Sequence, residues 1–162
     1  MEIILQRLQS NDIPQATEFA IQTRQLLFPE VYQSVLPYDL THFQDVYIHH
    51  PQGACFVVKD EQKIIGMIAY RAYNHRFALD IPKDSVEVVK LFIQPDYRRR
   101  GLASRLCDAL FKYATQQKIE HFYLHTHPFL PAAEHFWAKQ GFDIIYRQDI
   151  QNYDTIHMFK SA

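Results

Sequence analysis

Apolar and polar residues alternate along the first third of the chain in a way that predicts one strand and two helices. Residues 2–8 alternate with the period of two that is typical of a strand. Polar residues 10–12 and Pro14 then supply the chemistry of a helix start, ahead of an apolar helical run. Residues 39–49 fit a second helix, and the Pro-Gln-Gly break at 51–53 ends it.

The middle of the chain predicts the core elements. Residues 54–59 and 63–73 are apolar and β-branched on either side of a polar turn, which predicts a hairpin. Residues 85–93 form a nearly continuous, valine-rich run, as expected of a central strand buried on both faces. Apolar residues then recur at helical spacing from 102 to 113, which predicts an amphipathic helix.

The last third of the chain predicts further strands and one short helix. Residues 120–126 read as a strand, and residues 131–140 as a helix that Gly141 ends. Residues 142–148 and 153–159 read as two final strands. The pattern therefore predicts an α/β protein, which we expect to form one domain over residues 1–162.

Composition and charge narrow the classes of protein. At 48% apolar and 14% aromatic, the 162 residues can form a core without disulfides or metals. The net charge of −1 gives no reason to expect a nucleic acid or an anionic membrane as partner. Cys55 and Cys107 suit buried free thiols in a reducing compartment. With no signal peptide or membrane span in the pattern, we expect a cytoplasmic location.

Residues 91–103, which run from the central strand through a turn into a helix, carry the strongest chemical signal. A helix start leaves backbone N–H groups unpaired and carries partial positive charge, so it favours an anion. Gly101 lets the backbone approach a ligand without a Cβ, and Ala103 keeps the first turn small. The three arginines at 98–100 add positive charge. This order of elements favours a pyrophosphate site over a solvated arginine turn with an ordinary loop glycine.

The motif Arg98-x-x-Gly101-x-Ala103 resembles the acyl-CoA binding motif of the GNAT superfamily of N-acyltransferases. The predicted order of strands and helices is similar to that of the family over almost the whole chain. Residues 133–142, which read A-x-x-F-W-x-x-x-G-F, are similar to the family's later helix and its Gly-Phe ending. The resemblance implies a single mixed, mostly antiparallel central sheet flanked by helices, an α/β (α+β) fold.

The resemblance also implies which residues bind the acyl-CoA. Main-chain N–H groups would bind its pyrophosphate, and Arg98 would begin that loop. The backbone at the splayed end of the central strand would pair with the pantetheine arm and hold the thioester carbonyl. The residues of these two groups are Arg99, Gly101, Leu102 and Ala103 for the pyrophosphate, and Leu91, Phe92 and Ile93 for the pantetheine.

Glu87 is the candidate general base for this chemistry. Roughly one lysine-like amine in 10³ is neutral at pH 7, so a base is useful. Strand alternation would place Glu87 on one face with Val89, Leu91 and Ile93, where desolvation is expected to raise its pKa towards neutrality. The resembling enzymes often carry a glutamate four residues before the position of Leu91. A solvated or ion-paired glutamate near a strand start is the alternative.

Trp137 stands where many members of the family have a tyrosine that protonates the leaving thiolate. An indole N–H donates hydrogen bonds but is not a useful proton donor. Trp137 is therefore interpreted as packing near the acyl-CoA. Tyr146, Tyr123 or solvent remain as substitutes for the acid.

Three histidines, His121, His125 and His127, share parity on one predicted strand, so the last two can point into the same cleft. A proton relay to the amine or a metal pair is the functional interpretation. Ordinary surface or hydrogen-bonded histidines are the alternative, and no metal is expected.

The resemblance implies an acyl-CoA-dependent N-acyltransferase, with acetyl-CoA as the cosubstrate. An acetyl group would move to a primary amine by direct attack in a ternary complex. The acceptor would be a small molecule or a peptide, and the family allows a homodimer. A non-catalytic acyl-CoA binding or sensing module is the competing interpretation, and an α/β domain with an accidental phosphate-like loop is the third.

Overall fold

The computed structural model describes residues 2–29, 35–130, 132–150 and 153–162. Its strands are β1 Ile3–Arg7, β2 Ala54–Asp60, β3 Lys63–Ala72, β4 Val86–Ile93, β5 His121–Thr126, β6 Asp143–Ile150 and β7 Tyr153–Ser161. Its α-helices are α1 Ile13–Leu27, α2 Tyr38–Thr41, α3 Phe43–Tyr47, α4 Leu102–Gln116 and α5 Ala133–Lys139. Short 3₁₀ turns at Ser10–Asp12 and Pro95–Tyr97 precede α1 and α4.

The seven strands of the described ranges form one mixed sheet in the order β1-β2-β3-β4-β5-β7-β6. Only the pair of β4 with β5 is parallel, and the other neighbouring strands are antiparallel. The mostly antiparallel sheet and the β2–β3 hairpin are therefore confirmed. Residue 131, where the last helix was predicted to begin, lies outside the described residues.

The prediction of one helix over residues 39–49 is wrong, because two short helices occupy this stretch. His42, with φ −127° and ψ 42°, leaves the helical region of backbone conformation and separates α2 from α3. The hydroxyl of Tyr47 in α3 donates a hydrogen bond of 2.7 Å to Asp39 in α2. A buried side-chain contact thus holds the two short helices together where one continuous helix was predicted.

The sheet has a core on each face. On one face, here called the α4 face, Leu106 and Leu110 of α4 pack with Val86 and Val88 of β4. On the other, the α1 face, the buried residues of α1 and α3 pack against the opposite sides of the same strands. Both faces of β4 are therefore covered by protein, as the run of valines predicts.

A β-bulge interrupts the pairing of β3 with β4. Met67 pairs with Phe92 and Ala69 with Val89, so a step of two residues along β3 corresponds to a step of three along β4. Lys90, within the extra stretch, has a φ of +65°, the left-handed conformation found in such bulges. The bulge reverses the alternation of side chains along the rest of β4.

This reversal corrects the predicted face of Glu87. Leu91 and Ile93 pack into the core on the α4 face with Val88, while Val89 packs with the core on the α1 face. Glu87, two residues before Val89, points to the α1 face as well. Residues 87, 89, 91 and 93 would share one face of the sheet only if the strand had no bulge.

The strands β4 and β5 pair over two positions only. Val86 lies opposite Phe122, and Glu87 lies opposite Tyr123. Residues 88–93 continue β4 without a partner on this side, so the two strands diverge. A cleft therefore opens through the sheet between them.

A buried hydrogen-bond chain ties β5, β7 and β6 together beside this cleft. His157 in β7 is fully buried, with its Nδ1 2.6 Å from the Tyr123 hydroxyl and its Nε2 3.0 Å from Oε1 of Gln148. The amide oxygen can only accept, so Nε2 carries the proton and Nδ1 accepts from the tyrosine. Burial, helped by the neighbouring His125 ring and the charge of Arg76, lowers the pKa of His157 to about 4.

The neutral state of His157 makes folding depend on pH. Between pH 4 and about 6.5 the unfolded chain binds a proton here that the folded chain does not, so the free energy of unfolding rises with pH over this window. We expect this residue to contribute roughly 1–3 kcal/mol of the difference between pH 4.5 and pH 7. Urea unfolding of His157→Gln should show a smaller difference between the two pH values than the unsubstituted protein.

The matched control is His121→Gln. His121 lies on β5, with its Nδ1 2.9 Å from the exposed carboxylate of Asp84. The control should keep the pH difference of the unsubstituted protein. An unchanged difference in His157→Gln would contradict the assignment.

Candidate functional site

A cavity of about 1030 Å³ occupies the cleft between β4 and β5 and extends to both faces of the sheet. All ten residues that the sequence singled out as site residues line it: Glu87, Leu91, Phe92, Ile93, Arg98, Arg99, Gly101, Leu102, Ala103 and Trp137. The fold thus brings together residues that are spread over about a third of the chain, from Glu87 to Trp137.

The turn between β4 and α4 forms the wall of the cavity on the α4 face. Arg99 and Gly101 have φ values of +63° and +73°, and Gly101 is the N-cap of α4. No side chain caps this helix, so the N–H groups of its first turn remain available. A Cβ built on Gly101 would have no heavy atom within 4 Å. The turn presents backbone donors to open space, as an anion site requires.

The arginines of this turn have different roles. Arg98 Nε donates a hydrogen bond of 2.9 Å to the carbonyl of Ile93, and its guanidinium lies over the Phe92 ring, 5.1 Å from the centroid. Arg98 therefore braces the turn against the end of β4. Arg99 lines the cavity, whereas Arg100 donates to the carbonyl of Asp96 outside the cavity lining.

Trp137 forms part of the same wall. Its side chain packs edge-on against the rings of Phe136 and Phe142, and only 8% of its surface is exposed. Neither Tyr123 nor Tyr146, the substitutes predicted for the missing acid, is among the described residues that line the cavity. The Tyr123 hydroxyl is engaged with His157.

The Glu87 carboxylate is buried at the base of the cleft, with 1% of its side chain exposed. Arg76 binds it with two hydrogen bonds, from Nη1 to Oε1 at 2.8 Å and from Nη2 to Oε2 at 2.7 Å. Arg71 Nε donates to Oε1 at 3.3 Å, and His125 Nδ1 lies 3.4 Å from Oε2. Both oxygens are therefore occupied by cationic or polar groups.

The predicted rise in the pKa of Glu87 is wrong. Burial alone would raise this pKa, but the hydrogen bonds from Arg76, the nearby His125 ring and the charges of Arg71 and Arg76 together hold it well below the usual range. The apolar strand predicts the desolvation of Glu87, but nothing in its pattern predicts the two arginines that bind the carboxylate. Arg71 lies opposite Glu87 in the pairing of β3 with β4, so the register of these two strands is the signal that identifies it.

The buried charges around Glu87 form a charged floor beneath the cleft. A second carboxylate, Asp39, extends this charged floor on the α1 face. It accepts from Lys90 Nζ at 2.8 Å, from Arg71 Nη1 at 3.1 Å and from the Tyr47 hydroxyl at 2.7 Å. Burial opposes its ionisation, but Lys90, Tyr47 and Arg71 lower its pKa overall. Arg71 therefore bridges the two buried carboxylates. These residues come from separate elements, so no spacing in the sequence identifies the cluster.

Two of the three predicted histidines reach the cavity. His125 and His127 line it, whereas His121 lies outside and pairs with Asp84. His127 Nδ1 is 2.9 Å from the carbonyl of Asp154, and burial lowers the pKa of this ring. Across the described ranges, no three histidine, cysteine or carboxylate side chains are grouped to hold a metal ion.

No helix within the described ranges has both the length and the apolar character needed to cross a membrane.

The fold is similar to that of solved acetyltransferases. A GNAT-family acetyltransferase of Streptococcus pneumoniae is 17% identical, with a TM-score of 0.76 and 99% of each chain covered. The PaiA N-acetyltransferase of Thermoplasma acidophilum, solved in complex with coenzyme A, is 17% identical, with a TM-score of 0.69 and all of each chain covered. NAA60 of Arabidopsis thaliana, solved with a bisubstrate analogue, is 18% identical, with a TM-score of 0.72 and 99% of each chain covered.

No curated protein matches the sequence at a significant level. A sequence profile of the acetyltransferase (GNAT) family, however, matches residues 18–142, which include the turn at Gly101, the divergent strands and α5. The profile covers well over half of the chain, and the fold agrees with it. The chain belongs to the GNAT acetyltransferase family.

Proposed function

We propose that the protein transfers an acetyl group from acetyl-CoA to a primary amine by direct attack within a ternary complex. The observation that carries this proposal is the cavity that passes through the sheet between β4 and β5. Its α4 face presents an uncapped helix start, and its α1 face presents buried charges. A thioester held in the gap is accessible to an amine from the second face.

Acetyl-CoA would enter from the α4 face. The N–H groups of Arg99, Gly101, Leu102 and Ala103 would bind its pyrophosphate, and Arg98 would hold the start of that turn. Coenzyme A bound to the Thermoplasma relative supports this choice of ligand.

The pantetheine arm would then lie along the diverging part of β4. The backbone of Leu91, Phe92 and Ile93 has no strand partner on its β5 side, so its polar groups can pair with the amides of pantetheine. Trp137 would pack against the arm. An indole is no useful proton donor, so the departing thiolate would take its proton from solvent, which a thiol with a pKa near 8.5 tolerates.

We propose that Glu87 acts on the amine through His125. A carboxylate with a strongly lowered pKa is a weak base, but it orients an imidazole well. His125 lies 3.4 Å from that carboxylate and lines the cavity, so its ring can take the proton of the incoming amine directly or through water. Glu87 would therefore be a positioning residue and His125 the base.

The first prediction concerns acetyl-CoA binding at Gly101. Gly101→Ala should cost about 1–2 kcal/mol of stability, since an L-residue at this φ is strained. Its new Cβ would also occupy the space that the pyrophosphate needs, so the Kd for acetyl-CoA measured by calorimetry should rise by about 10-fold or more. Gly141→Ala is the matched control, because Gly141 has a φ of +95° and does not line the cavity. Equal Kd values in the two variants would contradict the site.

The second prediction tests transfer itself. Acetyl-CoA at 100 times its Kd should stabilise the protein by about 2.7 kcal/mol. Free CoA thiol should appear only when an acceptor amine is present, in equal amount to the acetylated product. The screen should contain amino acids, polyamines and peptides. Binding without thiol release across the whole screen would favour a non-catalytic binding module, and absence of stabilisation would contradict both functions.

The third prediction separates His125 from Glu87. General-base catalysis contributes about 10²–10⁴-fold, so His125→Gln should lower kcat by about 10²–10³-fold. Glu87→Gln should lower kcat less, because it removes the partner of the imidazole and not the base itself. His121→Gln should behave as the unsubstituted protein.

A kcat of His125→Gln equal to that of the unsubstituted protein would exclude this residue as the base. Full turnover of Glu87→Gln from pH 6 to 9 would exclude the glutamate from the mechanism.

A further inference from the structure

We infer that the acceptor amine also carries a carboxylate, and that Arg24 binds that carboxylate. The inference rests on the proposed function and deepens it, because it assigns a substrate class to the half of the cavity on the α1 face. It comes from the position and the unmatched charge of one guanidinium.

Arg24 lies in the last turns of α1 and lines the cavity. One turn earlier, Ala20 also lines it, and one turn later the ring of Phe28 contacts His127 at the end of β5, with 5.7 Å between centroids. This part of α1 therefore lies across the end of the cleft, on the side opposite to α4. A group held by Arg24 would face the gap between the strands.

The guanidinium of Arg24 has a buried donor without a partner. Its Nη1 atom is inaccessible to solvent and makes no hydrogen bond with any described residue. A buried charged donor left unsatisfied is costly, so in the working protein such a donor is satisfied by ordered water, an ion or a ligand. The planar guanidinium matches a carboxylate, which it can bind through two parallel hydrogen bonds.

The other described cations on this face already have anionic partners. Lys90 and Arg71 are paired with Asp39, and Arg76 and Arg71 are paired with Glu87. Four cations, counting Arg24, therefore face two carboxylates among the described residues of this part of the cavity.

This imbalance disfavours an acceptor with a second positive charge, such as a polyamine, because no carboxylate of the described lining is left to receive it. A carboxylate on the acceptor would restore the balance. It would also fix the position of the neighbouring amine relative to the thioester.

The test uses acceptor pairs that differ only in this charge. The unsubstituted protein should acetylate amino acids with a kcat/KM at least about 10-fold above that of their primary amides, because the amide leaves the guanidinium unpaired. Arg24→Gln should raise KM for the amino acid by about 10–100-fold and abolish the preference. It should leave the Kd for acetyl-CoA unchanged.

Arg105→Gln is the matched control, since Arg105 is exposed on α4 and does not line the cavity. Two peptides that begin with alanine followed by aspartate or by asparagine distinguish a peptide carboxylate from that of a free amino acid. A weaker Kd for acetyl-CoA in Arg24→Gln would overturn the inference, because it would assign Arg24 to the phosphates of the cosubstrate.

Failure of the inference and failure of the proposed function give different results. Turnover of amides or polyamines as fast as of amino acids overturns the carboxylate assignment but keeps acetyl transfer. If no amine is acetylated, calorimetry with coenzyme A bound still tests the assignment. Amino acids should then bind more tightly than their amides to the unsubstituted protein and equally to Arg24→Gln, and equal binding in both proteins would overturn it.

Discussion

The divergence of β4 from β5 is the constraint on which the site depends. The two strands share only the pairs Val86–Phe122 and Glu87–Tyr123, after which the backbone of β4 has no partner on that side. Backbone polar groups left unpaired in a folded interior must find another partner, and a bound ligand is one. The bulge at Lys90 acts in the same region, because it directs residues 91 and 93 to one face and the Lys90 ammonium to Asp39 on the other.

Burial of the charged floor beneath the cleft costs desolvation free energy, which its ion pairs and hydrogen bonds must offset. Two buried carboxylates are neutralised by three cations, and Arg71 contacts both of them. Burial of such charges is repaid only when each is hydrogen-bonded in good geometry. The network joins β3, β4, α2 and the loop that carries Arg76, so ion pairs hold these four parts of the chain together at the base of the cleft. In the proposed mechanism, such a base would keep the His125 imidazole in one orientation.

Much of this organisation follows from local patterns in the sequence. The hairpin, the valine-rich strand and the amphipathic helix are each encoded by the spacing of apolar residues, and the turn at Gly101 is encoded by the order of strand, glycine and helix. The face of Glu87 and its pKa could not be predicted in the same way. The first depends on a bulge with no glycine to mark it, and the second on Arg71 and Arg76, which reach Glu87 only through the pairing of β3 with β4 and the loop between them. Arg24 is likewise an ordinary helix residue until the packing of α1 across the cleft is known.

The short pairing of β4 with β5 also has a mechanical consequence. The described sheet consists of two blocks, β1–β4 and β5–β7, whose strands pair directly only at Val86 and Glu87. Beyond Glu87, β4 stays paired with β3 and extends about 20 Å to Ile93 at 3.3 Å per residue, so a relative rotation of the blocks by about 5° about the paired residues would move the far end by about 2 Å. Such a rotation would change the width of the cleft least beside the buried charges and most at the turn that carries Gly101.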